Sequence, residues 1–183
     1  MVWQDVRVEM TPEDLVGSYM QGIRDFRGIK LIHSEFEHPY LPINLRELCL
    51  SGANLSGADL TNVDLTGADL TGANLFGAVL TSAHLIRAIF RDVNFYGASL
   101  HWCGLNEADL LGSNLSHINA TSAWFNGATN IPAMERAIFA STDFTDAQIT
   151  KQLICRGGNL IWRTIMPDGE VVVGPQYGDG HGR

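Results

Sequence analysis

At 183 residues, with a net charge of −8 and only 17% charged side chains, the chain has the length of one domain or of one repeat solenoid with end pieces. Its acidic balance argues against ordinary nucleic-acid binding, which needs a basic face. Cys49, Cys103 and Cys155 are far apart with no CxxC among them, so neither a disulfide framework nor a zinc site is suggested. The start, MVWQDVRVEM, has no apolar signal core, and no run of apolar residues is long enough to span a membrane. These features predict a cytoplasmic protein with no membrane partner.

In chain order, Val6, Val8 and Met10 alternate as in a short strand. Thr11-Pro12-Glu13-Asp14 is a helix start, with Thr as N-cap, Pro in the first turn and acids behind it. Leu15, Val16, Tyr19, Met20 and Ile23 follow as one apolar stripe. The spacing predicts a helix over about 12–23 that covers the open end of what comes next; a partner-binding helix is the competing reading.

What comes next counts in fives. Leu occupies 45, 50, 55, 60, 65, 70, 75, 80 and 85, Phe occupies 90 and 95, and Leu resumes at 100, 105, 110 and 115. A small residue such as Ala53, Ala58, Val63 or Ala68 sits two before each centre. Neither a helix nor a flat strand keeps residues five apart on one side. A chain turning a corner every five residues does, with the centre and the small residue inward and the other three positions outward.

Phe26, Leu31, Phe36 and Leu41 keep the same beat displaced by one, so a one-residue deletion with a bulged corner is expected near Pro39–Pro42. The frame runs through Ala120 to Phe125, fails at Asn130 and restarts at Phe139, Phe144 and Ile149. A short excursion from the coil is expected at Ile131–Arg136. The 24 centres make about six coils at four per coil, a stack about 30 Å tall at the spacing of neighbouring strands. After Lys151 the rhythm stops. Asn159–Ile165 reads as a strand, Met166–Gly169 as a tight turn and Glu170–Val173 as the return strand, a hairpin closing the far end. GPQYGDGHGR reads as a flexible tail.

The tandem units SGANL SGADL TNVDL TGADL TGANL resemble those of the pentapeptide-repeat proteins. The resemblance implies an all-β fold, a right-handed quadrilateral parallel β-helix with four pentapeptides per coil. The expected divisions are then 1–23 for the segment with the N-terminal helical cap, 24–150 for the β-helix and 151–183 for the C-terminal capping hairpin and tail. RDFRGIKL at the entry and the MPDG ending also resemble cyanobacterial members of the family.

No residues converge as an enzyme's would, so no catalytic, cofactor or metal site is expected. His101 points out and Cys103 in, which prevents a shared metal. Asp64 and His84, one coil apart at the same outward position, are expected to make a surface contact about 5 Å apart. Asn54, Asp59, Asp64, Asp69 and Asn74 precede centres, where Asx side chains bond corner backbone groups rather than calcium. Gly52, Gly57, Gly67, Gly72 and Gly77 are corner residues, not a phosphate loop.

On an otherwise polar exterior, Phe76 and Tyr96 fall into one column whose other members are Ser56 and Ser116, and Val79, His101 and Trp102 lie around the next corner. Phe76, Val79, Tyr96, His101 and Trp102 are the candidate protein-binding residues, because exposed aromatics anchor partner proteins. A stacked Phe76–Tyr96 pair that only stabilises itself is the competing reading. The expected function is a non-enzymatic interaction scaffold. The alternative comes from the family's quinolone-resistance branch, whose members resemble DNA in charge and bind DNA gyrase. Between Gly52 and Ala83 only Asp59, Asp64 and Asp69 are acidic, too few for the continuous stripe a DNA mimic needs. Two closed ends favour a monomer over an end-to-end dimer.

Overall fold

The computed structural model describes residues 8–34, 38 and 40–177. Its β-helix is built one corner at a time. Within a unit the small residue's N–H donates to the preceding centre's carbonyl, as in Ala78 to Leu75 at 3.0 Å, which closes the turn. The second corner residue is left-handed throughout: Gly72 and Gly77 at φ 69° and 62°, but also Asn62, Ser82, Arg87 and Trp102 near 60°. The residue before each centre pairs with its counterpart 20 positions on, as in Asn54 with Asn74 and Asn74 with Asn94. Both bonds of each bridge run between coils: Leu75 N–H to Asn94 O at 2.8 Å, Asn94 N–H to Ala73 O at 3.1 Å. Because each face is straight for only a few residues, the longest strands hold three residues.

Four faces follow. The first carries Leu50, Leu70, Phe90 and Leu110; the second Leu55, Leu75, Phe95 and Leu115. The third carries Leu60, Leu80, Leu100 and Ala120, and the fourth Leu45, Leu65, Leu85, Leu105 and Phe125. All of these centres are buried, together with the small residues two before them. The core is one ladder of Leu and Phe over Ala, with edge-to-face rings at Phe90–Phe95 and Phe139–Phe144.

Asx side chains brace the corners as expected. Asn74 Oδ1 accepts the Phe76 N–H at 3.2 Å, Asp69 Oδ1 that of Thr71 at 2.8 Å and Asp143 Oδ1 that of Thr145 at 2.8 Å. On the second face the asparagines also form a ladder: Asn94 Nδ2 donates to Asn74 Oδ1, and Asn74 Nδ2 to Asn54 Oδ1, both at 3.2 Å.

The entry differs from the expected deletion. Strand β1 (Glu9–Met10) pairs in parallel with β2 (Lys30–Leu31), and α1 (Pro12–Met20) lies between them in sequence. Thr11 and Asp14 form the capping box, and Leu15 is buried, but Met20 and Ile23 stay exposed because the helix stops before Gly22, at φ 90°. Asp25 bridges Asn54 and Lys30 bridges Asp59, a step of 29 where the coil's step is 20. Phe26 and Leu31 are core centres, whereas Leu41 is 60% exposed and the coil resumes at β3 (Ile43–Asn44), which pairs in parallel with β4 (Val63–Asp64). The shift of frame is therefore an insertion between Lys30, which bridges Asp59, and Ile43, which pairs with Val63. Phe36 lies outside the described residues.

The opposite end differs too. No excursion occurs at 131–136. Ile131 and Met134 are buried in the core, and the coil is one residue short, Trp124 bridging Asp143. The helical turn comes later, as α2 (Lys151–Ile154), capped by Thr150. Nor is Asn159–Ile165 one strand. Strand β5 (Ile138–Ala140) pairs in parallel with β6 (Leu160–Trp162), which continues the coil, and Arg163 at φ 49° turns the corner into β7 (Thr164–Ile165). The hairpin is β7 with β8 (Val171–Val172), and β9 (Gln176–Tyr177), inside the segment expected to be loose, pairs antiparallel with β6. Asn159 fixes this end: its buried amide accepts from Ala137 N at 2.9 Å and donates to Met134 O and Ile154 O at 3.2 and 3.0 Å.

Two expectations follow. Leu75 is fully buried at mid-stack, so Leu75→Ala should lower the unfolding free energy in urea by ~2–5 kcal/mol through the cavity it leaves. The second concerns acid. Bonds from the Thr71 hydroxyl and N–H hold Asp69 below the usual carboxylate range. For Asp64, Asp109 and Asp143, burial acts upward but is outweighed by bonds from Thr66, Asn130 and Thr145 and by Arg46 and Arg91 at the first two. A carboxyl with a lowered folded pKa stabilises the fold above its unfolded value near 4 and loses that stabilisation as pH falls through the folded value. The D64N/D69N/D109N/D143N variant keeps each acceptor oxygen. Its Tm should match the wild type within a few degrees at pH 7 and fall less between about pH 4 and pH 2; parallel falls would contradict this role.

Candidate protein-interaction face

The candidate residues flank the third face. Phe76 and Tyr96 occupy the corner leading into it, and their rings stack 5.6 Å apart with planes 1° from parallel. The Asn ladder sets this register, because Asn74 and Asn94 bind the N–H groups of Phe76 and Tyr96. Above Tyr96 the ring of His117, not Ser116, continues the row at 4.6 Å. The sequence points to Ser116 because 20-residue stacking names it; the left-handed corner residue His117, at φ 60°, swings in instead.

His101 and Trp102 occupy the corner leaving the third face, with rings stacked at 4.8 Å. Trp102 is 55% exposed at φ 56°, a conformation that glycine adopts freely and a bulky residue does not. Its N–H is held by Thr121 O at 3.1 Å. Between the two corners runs the column of Val79, Ser99 and Asn119. The structure thus arranges the five residues as two ring stacks on either side of a floor of smaller side chains.

The other sequence candidates separate. Cys103 is buried, donates its thiol to Leu80 O and is pushed up to about 12 by burial, while His101 lies outside. Among the described residues no group of His, Cys, Asp or Glu is arranged to hold a metal ion. Asp64 and His84 are bridge partners on neighbouring coils, as expected, and the Asp64 carboxylate takes Arg46 at 3.0 Å and the Thr66 N–H at 3.0 Å. Arg87–Glu107 and Arg91–Asp109 pair in the same way across neighbouring coils, at 2.8 and 2.6 Å. These pairs belong to the corners and columns of the fourth and first faces, opposite the aromatic corners. No helix among the described residues is long and apolar enough to cross a membrane.

The family model for pentapeptide repeats matches residues 43–75 and 73–110 with eight copies. Among solved structures the chain is similar to the pentapeptide repeat protein Rfr23 of the cyanobacterium Cyanothece 51142, at 25% identity over 70% of this chain and 95% of that one, TM-score 0.46. It is also similar to HetL of the cyanobacterium Nostoc sp. strain PCC 7120, involved in heterocyst differentiation regulation, at 19% identity over 89% and 100%, TM-score 0.30. A third is QnrB1, a plasmid-mediated fluoroquinolone resistance protein, at 19% identity over 77% and 70%, TM-score 0.44. No curated protein matches the chain. Five-residue units in one frame, coils bridged every 20 residues and eight matched repeats lead to one family: the chain is a pentapeptide-repeat protein, and its fold is that family's right-handed β-helix.

Proposed function

We propose that the protein is a non-enzymatic scaffold that binds another protein through the third face, using Phe76, Val79, Tyr96, His101 and Trp102. The observation that carries this reading is Trp102, an exposed indole held left-handed at a corner position that Asn62, Ser82, Ser122 and Ser141 fill in the neighbouring coils. A side chain that costs local backbone energy and fills no core has its use outside the coil. The helix α1 and the hairpin β7–β8 act as end caps in this reading, leaving the sides for recognition. The gyrase-binding alternative, in which an acidic surface imitates DNA, fits less well. Asp64, Asp109 and Glu107 are each neutralised by an arginine, and a DNA mimic needs its charges unpaired.

The test is a pull-down from host lysate with the wild type and a folded F76D/Y96D/W102D variant. The reading predicts a prey retained by the wild type and lost by the variant. Gyrase captured equally by both would overturn it in favour of DNA mimicry.

A further inference from the structure

The sequence holds one Asn-Gly pair, Asn126–Gly127, and among the described residues one Asp-Gly pair, Asp168–Gly169. At such pairs a backbone can rearrange without an enzyme, because glycine has no Cβ to obstruct attack by its own nitrogen on the side-chain carbonyl carbon before it. At Asp the C–N bond forms while the carboxyl OH and the N–H proton leave as water, giving a succinimide. Water then adds to the former main-chain carbonyl and breaks its bond to nitrogen. The product is an isoaspartyl linkage through the side chain, with no net change in atoms. At Asn the leaving group is ammonia, and in an unfolded chain this is the faster reaction. Three conditions admit the step: a side chain folded toward the following peptide, a glycine there, and an attacking nitrogen not anchored elsewhere in the fold.

The coils withhold these conditions from Asn126–Gly127. The Asn126 amide is drawn away from its own backbone: its Oδ1 accepts from Asn106 Nδ2 at 3.1 Å one coil earlier, and its NH2 is turned to the Asp143 carboxylate one coil later. The Gly127 N–H is anchored to Thr145 O at 3.0 Å, between coils. The Asx corners fail differently. Asp69, Asn74 and Asp143 do fold toward the following peptide. Their followers, however, are Leu70, Leu75 and Phe144, whose N–H groups bind Ile89, Asn94 and Ile165 of the next coil. Asp168–Gly169 meets all three conditions. Both residues are exposed at the tip of the β7–β8 hairpin, Asp168 Oδ1 accepts the Glu170 N–H at 3.0 Å, and nothing lies within 4 Å of the place a Cβ would take on Gly169. The Gly169 N–H reaches only Met166 O at 2.9 Å, inside the same turn, so a local opening of the tip frees it while the coil stays closed. We propose that Asp168–Gly169 is a site of spontaneous isoaspartate formation, that the coils suppress the reaction at Asn126–Gly127, and that the rearrangement releases β8 from the end of the β-helix. The methylene it adds to the backbone breaks the turn that joins β7 to β8. The last coil is held from the other side of that bond, by Asp146 N–H to Pro167 O at 3.1 Å and Phe144 N–H to Ile165 O at 2.9 Å.

To test this, the full chain is aged at neutral pH, once folded and once in urea. Protein-isoaspartate carboxyl methyltransferase with methyl-labelled S-adenosylmethionine then marks each isoaspartate, and peptide mapping assigns the label to its residue. In the folded chain the label at Asp168 should exceed that at Asp69, Asn126 or Asp143 by about tenfold or more, the ratio that a difference of ~1.4 kcal/mol in opening free energy gives. In urea Asn126 should lead. D168E, whose side chain is too long for the five-membered ring, should lose the label at this site and stay folded, which melting checks. Hydrogen exchange reads the consequence: the β7–β8 amides should exchange faster in the aged wild type than in aged D168E, with Leu75 and Leu80 equally protected in both. A folded chain labelled chiefly at Asn126, or no more at Asp168 than at Asp69 and Asp143, would overturn the proposed site. Label at Asp168 with β7–β8 exchange unchanged would overturn the release of β8.

Discussion

Everything in this molecule depends on a corner taken every five residues. Each corner needs a residue at positive φ and a way to satisfy the N–H groups that the turn exposes. Glycine meets the first need at most positions of the clean stretch, and Asn or Asp two residues before the turning N–H meets the second. Once both are met, the centre falls inside, its N–H reaches the next coil and the stack extends with no further instruction. The Leu and Ala core is then a consequence of the corner as much as its cause. The same constraint explains the Asn ladder: stacked amides 20 residues apart have nowhere to donate except the coil beneath.

The sequence made the regular part legible because period five is incompatible with helix and strand. The register of the coils, the inward set, the Asx bonds and the Phe76–Tyr96 stack all follow from that one count. Legibility ended where the count slipped. A displaced frame looks the same whether one residue is missing or nine are added, and only the bridge from Asp25 to Asn54 shows the insertion. Leu41 keeps the beat yet lies outside the coil. At Ile131–Arg136 the apolar residues Ile131 and Met134 reach the core without period-five spacing, so a packed segment reads as an excursion. His117 was missed because a left-handed corner aims its side chain differently from the Ser116 that simple stacking nominates.

The surface divides in the same terms. Arginine–carboxylate pairs between coils occupy the fourth and first faces, where each exposed pair contributes little to stability. The large uncharged side chains of the third face's corners have no such partner within the fold beyond one another. Their arrangement is rigid because every floor residue is bridged on both sides, so binding there would order few side chains. A solenoid of this kind acts by holding surface groups at fixed spacing.

The central claim is that these aromatics serve recognition and contribute little to folding. It is tested most directly by replacing them with the residues typical of the other corners, F76S/Y96S/W102G, and measuring unfolding free energy in urea. The stacked pair contributes about 0.5–1.5 kcal/mol, and relief of the left-handed tryptophan returns a similar amount. The account therefore predicts a variant within about 1 kcal/mol of the wild type. A loss of about 3 kcal/mol or more, the size of a core truncation, would show that the rings hold the coil together and would contradict it.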